Sequence, residues 1–329
     1  MRRGVALCAL IAVGAMPARA QTHLVIVSGL GGEPRFTQVF AQLSESLATA
    51  AAKRFAIPDS DIVWLGEDAA TRAPHFAGES TKENVERVLT RLAARAGSGD
   101  QIVIVLVGHG SGEREDSKLS IPGVDLTARD FGQLLAKFPT QKVAFVDLSS
   151  ASGDMLPLLA APNRVIITAT KSSFERNESH FGQFFVDALT KDVADTDKDG
   201  RVSLLEAFRY AVAETKRLYD DDSRLQTEHA QLDDMGARAG VDDPDGHSGQ
   251  GVLARRFFLD GAFVTQAGAN DPRLAALYKD KNALEEQIDQ LKTKKASMDS
   301  TAYDDALEQL LVRLARTAKT IREAEGRKS

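Results

Sequence analysis

Ile102-Val-Ile-Val-Leu-Val107 running into Gly108-His109-Gly110-Ser111-Gly112, and Lys142-Val-Ala-Phe-Val-Asp147 running into Leu148-Ser149-Ser150-Ala151-Ser152-Gly153, decide how this chain is read. Each is a run of mostly branched apolar residues that stops at a turn of small and polar ones. Near-continuous apolar runs of this length belong to strands buried on both faces. Working outward, Leu24–Val27, Asp61–Leu65 and Arg164–Thr168 are further strand candidates. Amphipathic helices are expected from about Phe36 to Arg54, from the capping-box pattern Ser80-Thr-Lys-Glu83, and from near Thr127. This alternation from His23 to about Ala169 predicts an α/β fold, three layers with a mostly parallel sheet in the middle. Ligands of such sheets gather at the carboxyl ends of the strands. His109 and Ser149/Ser150 fall there, and neighbouring strands lie about 4.8 Å apart, so adjacency would bring the two turns within hydrogen-bonding reach.

The chain has 329 residues and 43% apolar content, enough for one substantial core and an appendage. Residues 1–20 read as a cleavable export signal: basic Met1-Arg2-Arg3, an apolar run from Gly4 to Ala15, and the small-x-small site Ala18-Arg19-Ala20. The apolar run is too short to span a bilayer, and no later stretch approaches the roughly 20 residues a span needs. A periplasmic or secreted location is therefore expected. The single cysteine, Cys8, lies inside the signal, so the mature chain would hold neither disulfides nor a thiolate. Of 41 basic residues, Arg2, Arg3 and Arg19 leave with the signal, and the remaining 38 face 47 acidic ones, about −9 net. That balance argues against nucleic acid or anionic lipid as the main partner.

Past Glu178 the pattern turns helical, from Phe181 to Leu189 and from Leu204 to Tyr219. Between them stands Asp195-Thr-Asp197-Lys-Asp199-Gly200-Arg201-Val-Ser203-Leu-Leu-Glu206, which matches the twelve-position EF-hand loop without a gap. Calcium takes six to eight hard oxygens, and this spacing offers three aspartates, the Arg201 carbonyl, Ser203 directly or through water, and bidentate Glu206. The stretch from Asp220 to Gln250, rich in Asp pairs, is expected to be exposed loop, and Arg256-Phe-Phe-Leu259 an edge strand. Gly268-Ala-Asn-Asp-Pro272 reads as a linker, dividing a domain over 21–265 from a segment over 266–329. In that segment Leu274, Leu277, Leu284, Ile288, Leu291 and Met298, then Tyr303, Leu307, Leu310, Leu314 and Ile321, keep coiled-coil spacing. They predict a helical hairpin, self-paired or paired with another chain.

The two turns, with their strands and the helix between, resemble the legumain-type branch of the caspase-fold cysteine peptidases. In that family an apolar strand, a His-Gly-Ser turn, a helix and a second apolar strand lead to an acidic residue, a Cys and Ser-Gly. His109-Gly110-Ser111 matches the first turn, while Asp147, Ser152 and Gly153 match the second, with Ser150 in the cysteine's place, or Ser149 if one residue is inserted. The resemblance runs from Leu24 to about Leu259. It implies a caspase-like three-layer fold, a substrate-pocket role for Arg35, and a pocket wall at Thr168-Ala169-Thr170. It also implies a dyad of His109 with Ser150, and Gly110 as oxyanion donor.

The missing cysteine limits what activity the resemblance implies. A thiol is partly ionised near neutral pH and a lone histidine activates it, whereas a serine hydroxyl needs a base held by a third group and an oxyanion hole. The expectation is therefore a catalytically silent homologue that binds a peptide or partner protein, stabilised by calcium. An active Ser150–His109 hydrolase and a calcium-dependent scaffolding module stand as alternatives. Other motifs fall short. Ser111 lacks the flanking glycines of a hydrolase elbow. Gly29-Leu-Gly31-Gly32 has Pro34 where the dinucleotide fingerprint needs glycine. His75, His180, His229 and His247 keep no zinc-ligand spacing.

Overall fold

The computed structural model describes residues 21–191, 193–196, 201–259 and 271–324. The segment over 1–20 expected to be an export signal, most of the expected linker, and Asp197, Asp199 and Gly200 of the acidic loop lie outside the described residues. The first half is a run of strands and helices: β1 (Thr22–Ser28), α1 (Pro34–Lys53), β2 (Ile62–Gly66), β3 (Phe76–Glu79), α2 (Lys82–Arg95) and β4 (Gln101–Val107). A small meander follows, β5 (Gly110–Ser111), β6 (Lys118–Leu119) and β7 (Leu126–Thr127), then α3 (Ala128–Leu135) and β8 (Lys142–Asp147). The short α4 (Leu156–Leu159), β9 (Arg164–Thr168), α5 (Phe181–Thr190), α6 (Leu204–Asp221) and β10 (Gln231–Asp233) complete the body. Two long helices close the chain, α7 (Pro272–Thr293) and α8 (Ser300–Ala324).

The seven-stranded sheet has the order β10-β9-β8-β4-β1-β2-β3, parallel except for β10, which pairs antiparallel with β9. Side chains alternate across it, and both faces are apolar. Leu24, Ile26, Val103, Val105, Ala144 and Val146 meet Leu47 of α1, Phe185 of α5 and Phe208 of α6. Val25, Val27, Ile102, Ile104, Val143 and Phe145 meet Leu89 of α2, Phe131 of α3 and Leu159 of α4. The expected three-layer α/β architecture with a mostly parallel sheet is thus present. β3, the meander and β10 are additions to the sequence-based expectation.

Local chemistry differs from the sequence reading at three places. α2 is capped by Thr81, whose Oγ1 accepts from the Asn84 amide at 3.3 Å. Ser80 is fully buried and donates instead to the Ser28 carbonyl at 2.6 Å, so the Ser80–Glu83 box does not form. The reciprocal capping box belongs to α3, between Thr127 and Asp130. The acidic stretch after Asp220 is in part interior: Asp233 accepts from the amides of Met235, Gly236, Ala237 and Ala239, and Asp234 from those of Gly251 and Ala254. A carboxylate that collects several amides orders a loop rather than solvating it. Lastly, Phe258 bridges to Ser203 rather than adding an edge strand to the large sheet, while Phe257 and Leu259 are buried.

α7 and α8 pack against each other as the heptad spacing requires, burying Leu284, Ile288, Tyr303 and Ile321, together with Tyr278, which the seam did not include. Arg256 ties this hairpin to the body through the Glu285 carbonyl at 2.9 Å.

At the opposite end of the sheet from the candidate site, a buried polar lock joins three strand starts. His23 of β1 is 2% exposed, and its Nδ1 and Nε2 lie 3.0 and 3.1 Å from carboxylate oxygens of Asp61 and Asp100. Both ring nitrogens are therefore within hydrogen-bond distance of a carboxylate. Asp61 also accepts from Arg95 at 2.7 Å, and Asp100 from the amides of Gln21 and Gly97. Removing the middle partner leaves two buried carboxylates short of a donor, at a cost of about 3 kcal/mol. His23→Leu is accordingly expected to lower the urea midpoint by that equivalent without changing the m-value; a shift within error of zero would show that the lock contributes nothing.

Candidate functional site at the strand ends

β4 and β8 run in register from Gln101↔Lys142 to Leu106↔Asp147, and the Leu148 amide donates to the Leu106 carbonyl at 2.9 Å. The two strands therefore end level, which brings the histidine and serine turns together. Their contact is made by backbone. The Gly110 amide lies 3.4 Å from Ser150 Oγ, and a Cβ on Gly110 would sit 2.3 Å from the Ser150 carbonyl oxygen and 2.9 Å from Ser149 Oγ. Only glycine fits this approach.

The serines are interior. Ser150 is 3% exposed, with Oγ accepting from Gly110, and Ser149 is fully buried, donating Oγ–H to Asp147 Oδ1 at 2.6 Å. The Ser149 amide reaches the same oxygen at 3.0 Å. Asp147 is fully buried, and its Oδ2 has no hydrogen-bond partner. Burial pushes its carboxyl up to about 7, against the pull of the two Ser149 bonds. Ala151, next in the turn, has φ of 55°, a left-handed conformation unusual for a residue with Cβ, and its amide is held by the Glu175 carbonyl at 2.8 Å.

His109 turns the other way. Its ring stands edge-on between Phe36, at 4.6 Å and 88°, and Phe40, at 5.0 Å and 70°, both from α1. Burial lowers its pKa, only partly opposed by a hydrogen bond to the Gly31 backbone and by Glu178 and Glu33, so the ring is neutral at pH 7. No hydrogen bond joins it to Ser149 or Ser150. It lines a cavity of about 210 Å³ with Phe36, Phe40, Leu148, Glu178 and His180. Sequence reasoning found His109 but missed these neighbours; the signal present was Phe36 and Phe40, four residues apart on one helix face.

Of the expected pocket residues, Arg35 is exposed near this cavity, 4.2 Å over the Phe36 ring and paired with Glu33 at 3.1 Å and Glu178 at 3.8 Å. Thr168 and Thr170 are buried. Thr168 Oγ1 donates to the Thr170 carbonyl at 2.9 Å, and Thr170 Oγ1 accepts from the Gly153 amide at 3.0 Å and meets Ser152 Oγ at 3.2 Å. The Thr170 hydroxyl thus braces the serine turn from within, and the Thr168 hydroxyl holds the Thr170 backbone.

In the acidic loop Glu206 is 8% exposed and gathers both ends of the motif. One oxygen accepts from the amide and hydroxyl of Thr196, at 2.9 and 3.0 Å, and the other from the amide and hydroxyl of Ser203, each at 2.9 Å. Loop positions two, nine and twelve are thereby drawn together, with Asp195 beside Thr196. The Arg201 guanidinium lies 3.7 Å over the Phe258 ring. The donors present are hard oxygens of the kind calcium takes. Among the described residues no cluster of three or more His, Cys, Asp or Glu forms a metal site.

Asp147 carries a pH signature. Its folded pKa lies above the value of about 3.9 in an unfolded chain, so its contribution to stability is complete below that value and is lost as pH rises toward 7, by up to roughly 4 kcal/mol. Asp147→Asn retains an oxygen for Ser149 and cannot ionise. The melting temperature of the wild type relative to this variant is expected to fall between pH 4 and 7 and then level off, and a pH-independent difference would refute the assignment.

No family model matches the chain, and no curated protein matches it. Among solved structures, it is similar to the crystal structure of protein GSU0716 from Geobacter sulfurreducens, with a TM-score of 0.38 and 13% identity, over 59% of this chain and 89% of that one.

Proposed function

We propose that the chain is a catalytically silent protein of the legumain-type caspase fold, which binds a peptide or protein partner at the carboxyl ends of β4 and β8. The observation that carries this reading is the orientation of His109. Its ring is held by Phe36, Phe40 and the Gly31 backbone, while Ser150 Oγ is buried against the Gly110 amide. A general base must lie within hydrogen-bond reach of the proton it takes, and here no such contact exists. What the turn offers instead is a neutral imidazole in the wall of a mostly apolar cavity with Arg35 and Glu178 near its rim, suited to one apolar side chain of a bound segment. The chain is proposed to act after export. Among the described residues no helix is long and apolar enough to cross a membrane.

Calcium would be held by Asp195, Asp197, Asp199, the Arg201 carbonyl, Ser203 and Glu206, fixing α5 to α6. When bound it supplies positive charge that neutralises the clustered carboxylates. Self-association is assigned to the α7–α8 hairpin.

The test of silence uses a fluorophosphonate probe and a peptide library with calcium present. Neither labelling nor cleavage is expected, whereas labelling that disappears in Ser150→Ala would establish an active serine hydrolase. Peptides retained by the wild type should bind at least tenfold more weakly to Phe36→Ala, since that change removes one wall of the cavity. For calcium, chelation should lower the melting temperature by several degrees. That response should be absent from Glu206→Ala, and a melting temperature indifferent to chelator removes the calcium assignment.

A further inference from the structure

We infer that a second cavity, between the start of α5, the middle of α6 and residues 226–230, receives a basic side chain, lysine or arginine, from a partner protein. The cavity measures about 280 Å³ and lies apart from the strand-end turns. Its floor is apolar, with Phe181, Val212 and Ala230, and suits the methylene stem of such a side chain. Thr215 lines it too. This residue is 2% exposed, and its hydroxyl has no hydrogen-bond partner. A buried hydroxyl left unpaired is a standing cost that a donor N–H entering the cavity would remove.

The charges around the cavity select the sign of the ligand. Asp242 and Asp243 are exposed among its lining residues and, among the described residues, take part in no ion pair. The two basic groups nearby are already engaged, Lys216 by Asp220 at 2.5 Å and His229 by Glu175 at 2.6 Å. Glu228 adds a third carboxylate in the wall, accepting from Ser179 Oγ, the His180 and Phe181 amides, and Tyr219 Oη. Two unpaired carboxylates, a fully bonded third and a vacant hydroxyl acceptor above an apolar floor favour a cation on an alkyl stem. They disfavour an anion or a bare hydrocarbon.

The experiment is an amide NMR titration of the chain, calcium present throughout, with three probes: N-acetyl N-methylamides of arginine, lysine and norleucine. At least one of the two basic probes is expected to shift the amides of Val212, Thr215 and Ala230 saturably. The dissociation constant should rise at least tenfold in Asp242→Asn/Asp243→Asn and severalfold in Thr215→Val, both of which preserve side-chain volume. Norleucine should leave these amides unmoved. The inference is overturned if neither basic probe saturates, if norleucine binds equally well, if either variant binds as the wild type does, or if the shifts fall only around Phe36 and His109.

Discussion

The parallel pairing of β4 with β8 is the constraint on which the rest of the molecule depends. Both strands are apolar on both faces, so hydrophobicity alone fixes their register weakly, since a one-residue slip would exchange one apolar set for another. Polar contacts at the ends of the ladder supply what the pattern does not. At one end the Lys142 amide donates to the Asp100 carbonyl at 3.3 Å, and the Gln141 side-chain amide to the Ala96 and Gly97 carbonyls at 3.2 and 3.1 Å. At the other, the Leu148 amide closes on Leu106, and Gly110 meets the serine turn at a distance no side chain would allow. The site exists because the strands finish level, and they finish level because both ends are pinned.

The large strands and helices were legible because their signal is compositional. Leu24–Val27 and Ile102–Val107 have no polar face to confuse the period. β3 and β10 were not legible. Phe76-Ala-Gly-Glu79 and Gln231-Leu-Asp233 are short and mixed, and they become strands only because a sheet edge is there to pair with. The acidic stretch around Asp233 misled for a related reason. Composition does not distinguish a carboxylate facing water from one collecting four amides, and that difference decides between loose loop and ordered interior. For the site itself, His109 and the serine turn were identifiable from their places at strand ends. The direction of the His109 ring was not, because it is set by Phe36 and Phe40, about seventy positions earlier in the chain.

That direction has an energetic consequence. Swinging the imidazole toward Ser150 would forfeit two aromatic contacts, each about 0.5–1.5 kcal/mol, and a backbone hydrogen bond of about 1 kcal/mol. Freeing Ser150 from Gly110 forfeits roughly another 1 kcal/mol. A total near 4 kcal/mol leaves on the order of one molecule in a thousand with the imidazole and hydroxyl in reach. An enzyme gains rate by holding its groups in reacting geometry in advance. Here the same packing forces keep the imidazole and the hydroxyl apart, so the aromatic clamp makes the His109 ring part of a cavity wall.

The other wall of the His109 cavity is the entrance to α5, and it is fixed by a single carboxylate. Glu228 accepts from Ser179, His180 and Phe181, three consecutive residues at the start of that helix, and from Tyr219 near the end of α6. Free amides at a helix start are the natural partners of a carboxylate, and burial strengthens the attraction. Ser179 and His180 line the His109 cavity, whereas Phe181 and Glu228 line the cavity of Thr215. One turn of backbone therefore separates the two cavities, and its position is set by donors that converge on Glu228. Any displacement of that carboxylate must be taken up by the Ser179–Phe181 segment, because α5 beyond it is packed against the sheet through Phe185 and Leu189 and has no freedom to follow.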